Sequence, residues 1–234
     1  MVKKHLSRLT APKSWPIQKK GIKWITRPNP GPHALKNCIP LNLVIKNVLK
    51  YAKTTNEVKK ILNEGKILID KKSRKDYRFP IGVMDVLEIP ETKEHFRILY
   101  TLKGKFMVHK ISAEESKIKP VKIVNKKILK GNKTQLNLYD GRNMIVDKDE
   151  FKVNDTLILS LGDKPQVKKH LKFEKGASVY LIEGKYKGMS GTIEDIKPIF
   201  RNPAIKVKVK SKTFETSKNF AFVIDDSISL GESK

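Results

Sequence analysis

No aspartate or glutamate precedes Glu57, and the whole chain holds a single cysteine, Cys38. One thiol can form no internal disulfide and cannot build a Cys-rich zinc site, which points to a reducing, cytosolic compartment. No run of about eighteen apolar residues occurs, so no transmembrane helix is expected. Met1-Val2-Lys3-Lys4-His5 is basic, but no apolar stretch follows it, so no secretory signal is expected either. The common catalytic signatures are missing: there is no G-x-S-x-G, P-loop, G-x-G-x-x-G or H-E-x-x-H. The five histidines, at 5, 33, 95, 109 and 170, lack metal-ligand spacing. Asp140-Gly141-Arg142 brings an acid and a guanidinium together, but within what reads as a hairpin turn. No catalysis, metal, cofactor or small-molecule substrate is expected.

Positive charge is what abounds. Among 234 residues, 50 Lys and Arg face 24 Asp and Glu, a formal net charge of +26. Apolar residues make up 38%, enough to bury cores once the 13 glycines are counted beside them. A surface that repels itself this strongly calls for an anionic partner, and a polyanion fits best.

Six of the 12 prolines fall by residue 40, each removing a backbone donor and holding its predecessor extended. Residues 1–37 are therefore expected to form an irregular arm with little core of its own, mobile in the free protein and ordered on its partner. Its Lys3, Lys4, Arg8, Lys13, Lys19, Lys20, Lys23 and Arg27, with His5, are candidate nucleic-acid contacts. Trp15 and Trp24 either pin the arm to the body or stack on bases.

From Leu41 the pattern turns helical. Leu41, Val44, Ile45, Val48 and Ala52 recur at spacings of three and four, which places Lys46, Lys50 and Lys53 on the opposite face. Thr54 and Glu57 read as a capping box for a second helix through Val58, Ile61 and Leu62, and Gly65 as its left-handed cap. A strand over 66–70 and a polar turn at Lys71-Lys72-Ser73 follow. Lys59, Lys60, Lys66, Lys71, Lys72, Arg74 and Lys75 extend the basic edge.

Beyond Glu91 the expectation is β throughout. Asp140-Gly141 is a type I′ hairpin signal between strands at 135–139 and 142–146, and residues 204–210 alternate apolar residues with Lys. Short strands without long helices between them suggest small barrels. Over 177–193, Gly184, Gly188 and Gly191 suit a turn needing positive φ or close backbone approach, with Lys185 and Lys187 projecting from it.

Residues 41–90, above all Glu57 to Asp70 and Met84 to Ile89, resemble the αL RNA-binding motif of bacterial ribosomal protein four, some pseudouridine synthases and bacterial tyrosyl-tRNA synthetases. The 177–193 stretch is similar to the KOW motif of ribosomal proteins and NusG-class transcription factors. With the arm segments His5 to Lys13, Trp15-Pro16-Ile17, Lys23-Trp24 and Arg27 to His33, the order of modules resembles the S-four-e family of archaeal and eukaryotic small-subunit ribosomal proteins. An archaeal source is expected, since the chain stops shortly after Leu230.

The resemblance implies an α+β protein: an arm over 1–37, an αL-type RNA-binding domain over 38–95, a central β domain over 96–174 and a KOW SH3-like barrel over 175–234. It implies a structural constituent of the cytoplasmic small ribosomal subunit, with ribosomal RNA and neighbouring subunit proteins as partners and no membrane. Two other classes are weighed against it, an accessory subunit of an RNA-modifying enzyme and a KOW-bearing transcription factor. The lack of a catalytic constellation disfavours the former, and the arm disfavours both.

Overall fold

The computed structural model describes residues 5–18, 20–131, 133–147, 150–162, 165–197, 203–209, 212–225 and 227–231. It is predominantly β with few, short helices, and it divides into two compact units. One comprises Met1–Leu99 with Lys105–Lys117, and the other Tyr100–Gly104 with Ile118–Lys234.

In the first unit the expected opening helix is much shorter than its apolar period. One α-helical turn, Leu41–Leu43, widens into a π-helical turn, Val44–Val48, where the Leu49 N–H donates to the Val44 carbonyl. Lys50 then takes φ 60° and ends the segment, a conformation that costs a non-glycine residue about 1–2 kcal/mol. Ala52 is still buried, but from a bend beyond the helix, and Lys50 and Lys53 are not on a helix face.

The second helix, Thr55–Asn63, matches its expectation. The Glu57 N–H donates to Thr54 Oγ1 at 3.3 Å and the Thr54 N–H to Glu57 Oε2 at 3.4 Å, closing the capping box. Gly65 follows with φ 73°. Val58 and Leu62 are its buried face.

A five-stranded sheet completes this unit in the order Lys72–Ser73, Leu68–Ile69, Val86–Ile89, Glu94–Tyr100, Phe106–Lys110. The link between its first two strands is tighter than expected. Leu68 pairs with Ser73 and Ile69 with Lys72, so the loop is Asp70-Lys71 alone, with φ 51° and 65°. Positive φ at both central residues is the type I′ pattern, here without glycine. Buried Asp70 holds it by accepting from the Val86 N–H at 3.1 Å, and Lys71 Nζ lies 2.7 Å from Glu88.

The arm is docked on this unit. Leu6–Ser7 pairs with Trp24–Ile25, and Cys38–Pro40 pairs with Pro80–Gly82. Trp15 is 2% exposed, and its Nε1 donates to the Cys38 carbonyl at 2.6 Å. Buried His33 lies 3.0 Å from Asp85, over a glycine, Gly82, whose Cβ would fall 2.5 Å from the imidazole. Outside short strands and 3-10 turns the arm's backbone is irregular, as its prolines require, and Trp15 and His33 supply anchors that the expectation of a mobile arm did not include.

The second unit holds two antiparallel sheets. The first runs Asn143–Val146, Thr134–Leu138, Ile118–Ile128, Thr156–Ser160, Val167–Leu171, over a core of Val121, Ile123, Leu136, Leu138, Leu157 and Leu159. Its Asp140-Gly141 turn departs from type I′: Gly141 has φ 76°, Asp140 is not among the positive-φ residues, and the Gly141 N–H donates to the Leu138 carbonyl. That is the three-residue loop with a glycine bulge.

The second sheet runs Lys212–Ser217, Ala204–Val209, Ser190–Lys197, Ser178–Leu181, Ala221–Val223. Ile205 and Val207 point into its core with Val179, Leu181 and Ile193, while Lys208 is exposed, as the alternation requires; Lys210 lies outside the described residues.

One polar tie fastens the last sheet to Tyr100 of the same unit, and a second joins the two sheets. Tyr180 Oη accepts from the Tyr100 N–H at 2.7 Å and donates to its carbonyl at 3.0 Å. Lys122 Nζ donates to the carbonyls of Asn219 and Ala221 at 2.8 and 2.7 Å. Burial pushes the Tyr180 hydroxyl pKa up and the Lys122 ammonium pKa down to about 7.

Candidate nucleic-acid interface

Lys46, Lys50 and Lys53 come together, though not as a helix stripe. With Arg8, Lys20 and Trp24 they line a groove of about 930 Å³ between the docked arm and residues 42–55. None of its lining residues is acidic. Lys20, Lys50 and Lys53 are exposed and Lys46 half-buried. Like charges held in one concavity raise the local positive potential, because its low-dielectric walls focus the field.

The two tryptophans differ in burial. Trp15 is core. Trp24 is 52% exposed, with Lys23 Nζ 5.2 Å from its ring centroid and the His5 ring 5.4 Å away. Arg8 is structural as well as cationic: its Nη1 donates to the carbonyls of Gln18 at 2.7 Å and Lys20 at 3.2 Å, clasping the arm's own loop. Lys13 is exposed away from that groove's lining. Lys3, Lys4 and Lys19 lie outside the described residues.

A second basic cluster surrounds the loop after the I′ turn. Lys59 Nζ sits 5.0 Å from the Tyr77 ring centroid, and the Arg78 guanidinium 5.3 Å from the same ring while donating to its hydroxyl. Arg74 lies 4.6 Å over Phe79. Arg27 and Arg78 line a neighbouring cavity of about 580 Å³ with Pro28, Pro30 and Leu35. Lys60, Lys72 and Lys75 are exposed. Tyr77, Arg78 and Phe79 stand outside the expected contact set, although the run Arg74-Lys75-Asp76-Tyr77-Arg78-Phe79 interleaves basic and aromatic residues.

Other candidate cations are committed to carboxylates. Lys66 pairs with Glu64 at 2.8 Å and Glu91 at 3.2 Å, and these hydrogen bonds, Glu64 first, raise its pKa. Lys71 reaches buried Glu88 and, at 3.4 Å, Ser116 Oγ.

In the second unit the glycine-rich turn behaves in three ways. Gly184 and Gly188 have φ 83° and 89°; Gly191 does not need positive φ, but a Cβ there would fall 2.4 Å from the Lys208 carbonyl oxygen. Lys185 is exposed. Lys187 folds back to place its Nζ 3.6 Å from the Tyr100 ring centroid, and burial lowers its pKa to about 8. Among the described residues no His, Cys, Asp and Glu cluster could hold a metal ion, and no helix is long and apolar enough to cross a membrane.

Three family models match successive stretches: the RS4NT domain at residues 2–36, the S4 domain at 40–87 and the ribosomal family S4e at 92–165. Small ribosomal subunit protein eS4 of Methanothermobacter thermautotrophicus is 40% identical over 231 residues, covering 97% of this chain and 95% of its own. The protein of the same name from Aeropyrum pernix is 38% identical over 233 residues, covering 94% and 91%. The crystal structure of 30S ribosomal protein S4e from Thermoplasma acidophilum matches with a TM-score of 0.72 at 28% identity, over 83% of this chain and 99% of that one.

Proposed function

The chain belongs to the S4e family of small-subunit ribosomal proteins, and from that premise we propose how it engages its partners. It is a non-enzymatic constituent of the small ribosomal subunit that binds ribosomal RNA. The phosphate contacts are made by the first unit, through the arm and the groove of Lys20, Lys46, Lys50 and Lys53, extended by Lys59, Lys60, Lys72, Arg74 and Lys75. The single observation that carries this is the acid-free groove in a chain of net charge +26. Cations on phosphates position a protein, while recognition of folded RNA comes mostly from its shape.

Residues 38–95 act as an αL-type module, a reading that the capped helix and the following hairpin support. The last sheet acts as a KOW-type barrel, for which left-handed Gly184 and Gly188 speak. Lys185 reaches RNA or a neighbouring subunit protein from it. The division at 37, 95 and 174 is part of the same reading.

Sucrose-gradient sedimentation of the tagged protein tests it. Co-migration with small subunits is expected, surviving moderate salt and lost at high salt as phosphate contacts are screened. Sedimentation with RNA polymerase or with free RNA-modifying complexes would overturn it.

A further inference from the structure

We infer that the groove between the arm and residues 42–55 receives an unpaired stretch of RNA, with one unstacked base lying on Trp24. This rests on the ribosomal-RNA reading above and goes further by specifying the form of RNA at that site.

Trp24 is placed as a binding platform and not as an anchor. The chain's other indole, Trp15, is wholly inside with its N–H satisfied, whereas Trp24 is 52% exposed beside a groove of about 930 Å³. An exposed indole has an open π face, and base–aromatic stacking accepts any base. Lys23 Nζ, 5.2 Å from the ring centroid, adds a cation and His5, 5.4 Å away, a second ring. Lys20, Lys46, Lys50 and Lys53 then supply charge along the same concavity for a backbone to follow.

The floor of the groove has a spare hydrogen-bonding group. Asn42 is 2% exposed, and its Nδ2 donates to Thr26 Oγ1 at 2.7 Å, but its Oδ1 has no partner. Exchanging the two ends of the amide would only transfer the deficit to nitrogen. A buried polar atom left unpaired is costly, by about 1–3 kcal/mol, and such atoms call for an explanation. A strand settling into the groove supplies one where a ribose hydroxyl or base edge displaces the side chains covering this oxygen, since either can donate.

Duplex RNA does not fit these features. In an A-form helix the base faces are stacked inside and the major groove is too deep and narrow for side chains, so Trp24 would find no π face. A single strand offers faces, edges and phosphates together.

Intrinsic fluorescence separates the two indoles without touching the core. The full-length protein and Trp24→Phe and Trp24→Ala variants are titrated with a short oligouridine RNA, with a blunt RNA duplex of matched length, and with small-subunit ribosomal RNA, binding being read independently by gel mobility shift. The inference requires that the oligouridine shift the protein and quench its emission, that the quenching vanish in Trp24→Phe, and that the duplex quench little. Trp24→Ala should weaken oligouridine binding by about 5- to 100-fold, and Trp24→Phe by much less. Binding with Trp24 emission unchanged, quenching by the duplex to the same extent, or equal affinity of Trp24→Ala would overturn it. Failure to shift the oligouridine while shifting ribosomal RNA would also overturn it, yet leave the ribosomal reading standing. Failure to shift any of the three RNAs would overturn that reading as well.

Discussion

The indole N–H of Trp15 donates to the main-chain carbonyl of Cys38, 23 residues further on, at 2.6 Å with both residues buried. This bond fastens the proline-rich arm to the strand Cys38–Pro40 and thereby fixes one wall of the basic groove. Truncating a buried tryptophan typically costs about 3–5 kcal/mol, and here it also strands a carbonyl. Trp15→Ala should therefore lower the melting temperature markedly and expose the arm to limited proteolysis, while Trp24→Ala should change stability by no more than about 0.5 kcal/mol. Equal protease resistance of wild type and Trp15→Ala would mean that the His33–Asp85 contact and the bond from the Phe106 N–H to the Ser14 carbonyl hold the arm unaided.

Gly188 carries two constraints at once. Its φ is 89°, and an added Cβ would lie 2.2 Å from the Thr101 carbonyl oxygen, which belongs to backbone and cannot swing aside. Gly176 shares the left-handed conformation, φ 83°, but has nothing within 4 Å of that Cβ position. Gly176→Ala should then cost only the conformational penalty, about 1–2 kcal/mol. Gly188→Ala should cost clearly more. Urea denaturation of both variants measures the difference, and similar midpoints would show that the Thr101 segment yields.

What the sequence made legible was local. Thr54 and Glu57 meet within one turn of chain, so their capping box could be read directly, as could Gly65 and the alternation of Ile205 and Val207 with Lys. What it hid depended on distant partners. The Asp70-Lys71 turn has no glycine to announce it, and it is held by Val86 and Glu88, 16 and 17 residues away. Gly82 looks like an ordinary strand glycine until His33 is seen lying over it. Lys46, Lys50 and Lys53 were legible as a set, but their helix was not: it widens at Val44 and stops at Lys50, so they meet the arm across a groove and form no stripe. Nothing in the spacing of Lys122 distinguishes it from the exposed lysines around it.

Lys122 makes stability depend on pH in a defined direction. Burial lowers its pKa to about 7 in the folded protein, against about 10.4 for an exposed lysine. Between those values the unfolded chain holds a proton that the folded protein has released, so stability rises with pH from about 7 to about 10. Below about 7 both states are protonated and the full cost of the buried charge is present. Lys187, lowered to about 8 by burial, adds to the upper part of the same rise. Lys122→Met should flatten the rise and lower stability most at its alkaline end, where the neutral amine still donates to the Asn219 and Ala221 carbonyls without the cost of a buried charge. Urea midpoints measured across that pH range decide it; an equally steep rise in the variant would mean that other groups release the protons.

Lysines that differ in their partners should differ in what they do to salt dependence. If Lys46, Lys50 and Lys53 each neutralise one phosphate, changing all three to Gln should make the slope of log K against log salt for ribosomal RNA shallower by about 2–3. Because none is a core side chain, the melting temperature should change little. Lys66 and Lys71 are the controls. The first already lies between Glu64 and Glu91 and the second reaches Glu88, so each would have to leave a carboxylate to meet a phosphate. Lys66→Gln should leave the slope nearly unchanged, and Lys71→Gln should act mainly on stability by leaving the buried Glu88 carboxylate short of its cation. A slope unmoved by the groove triple but altered by Lys66→Gln would transfer the phosphate track from the groove to the edge of the sheet.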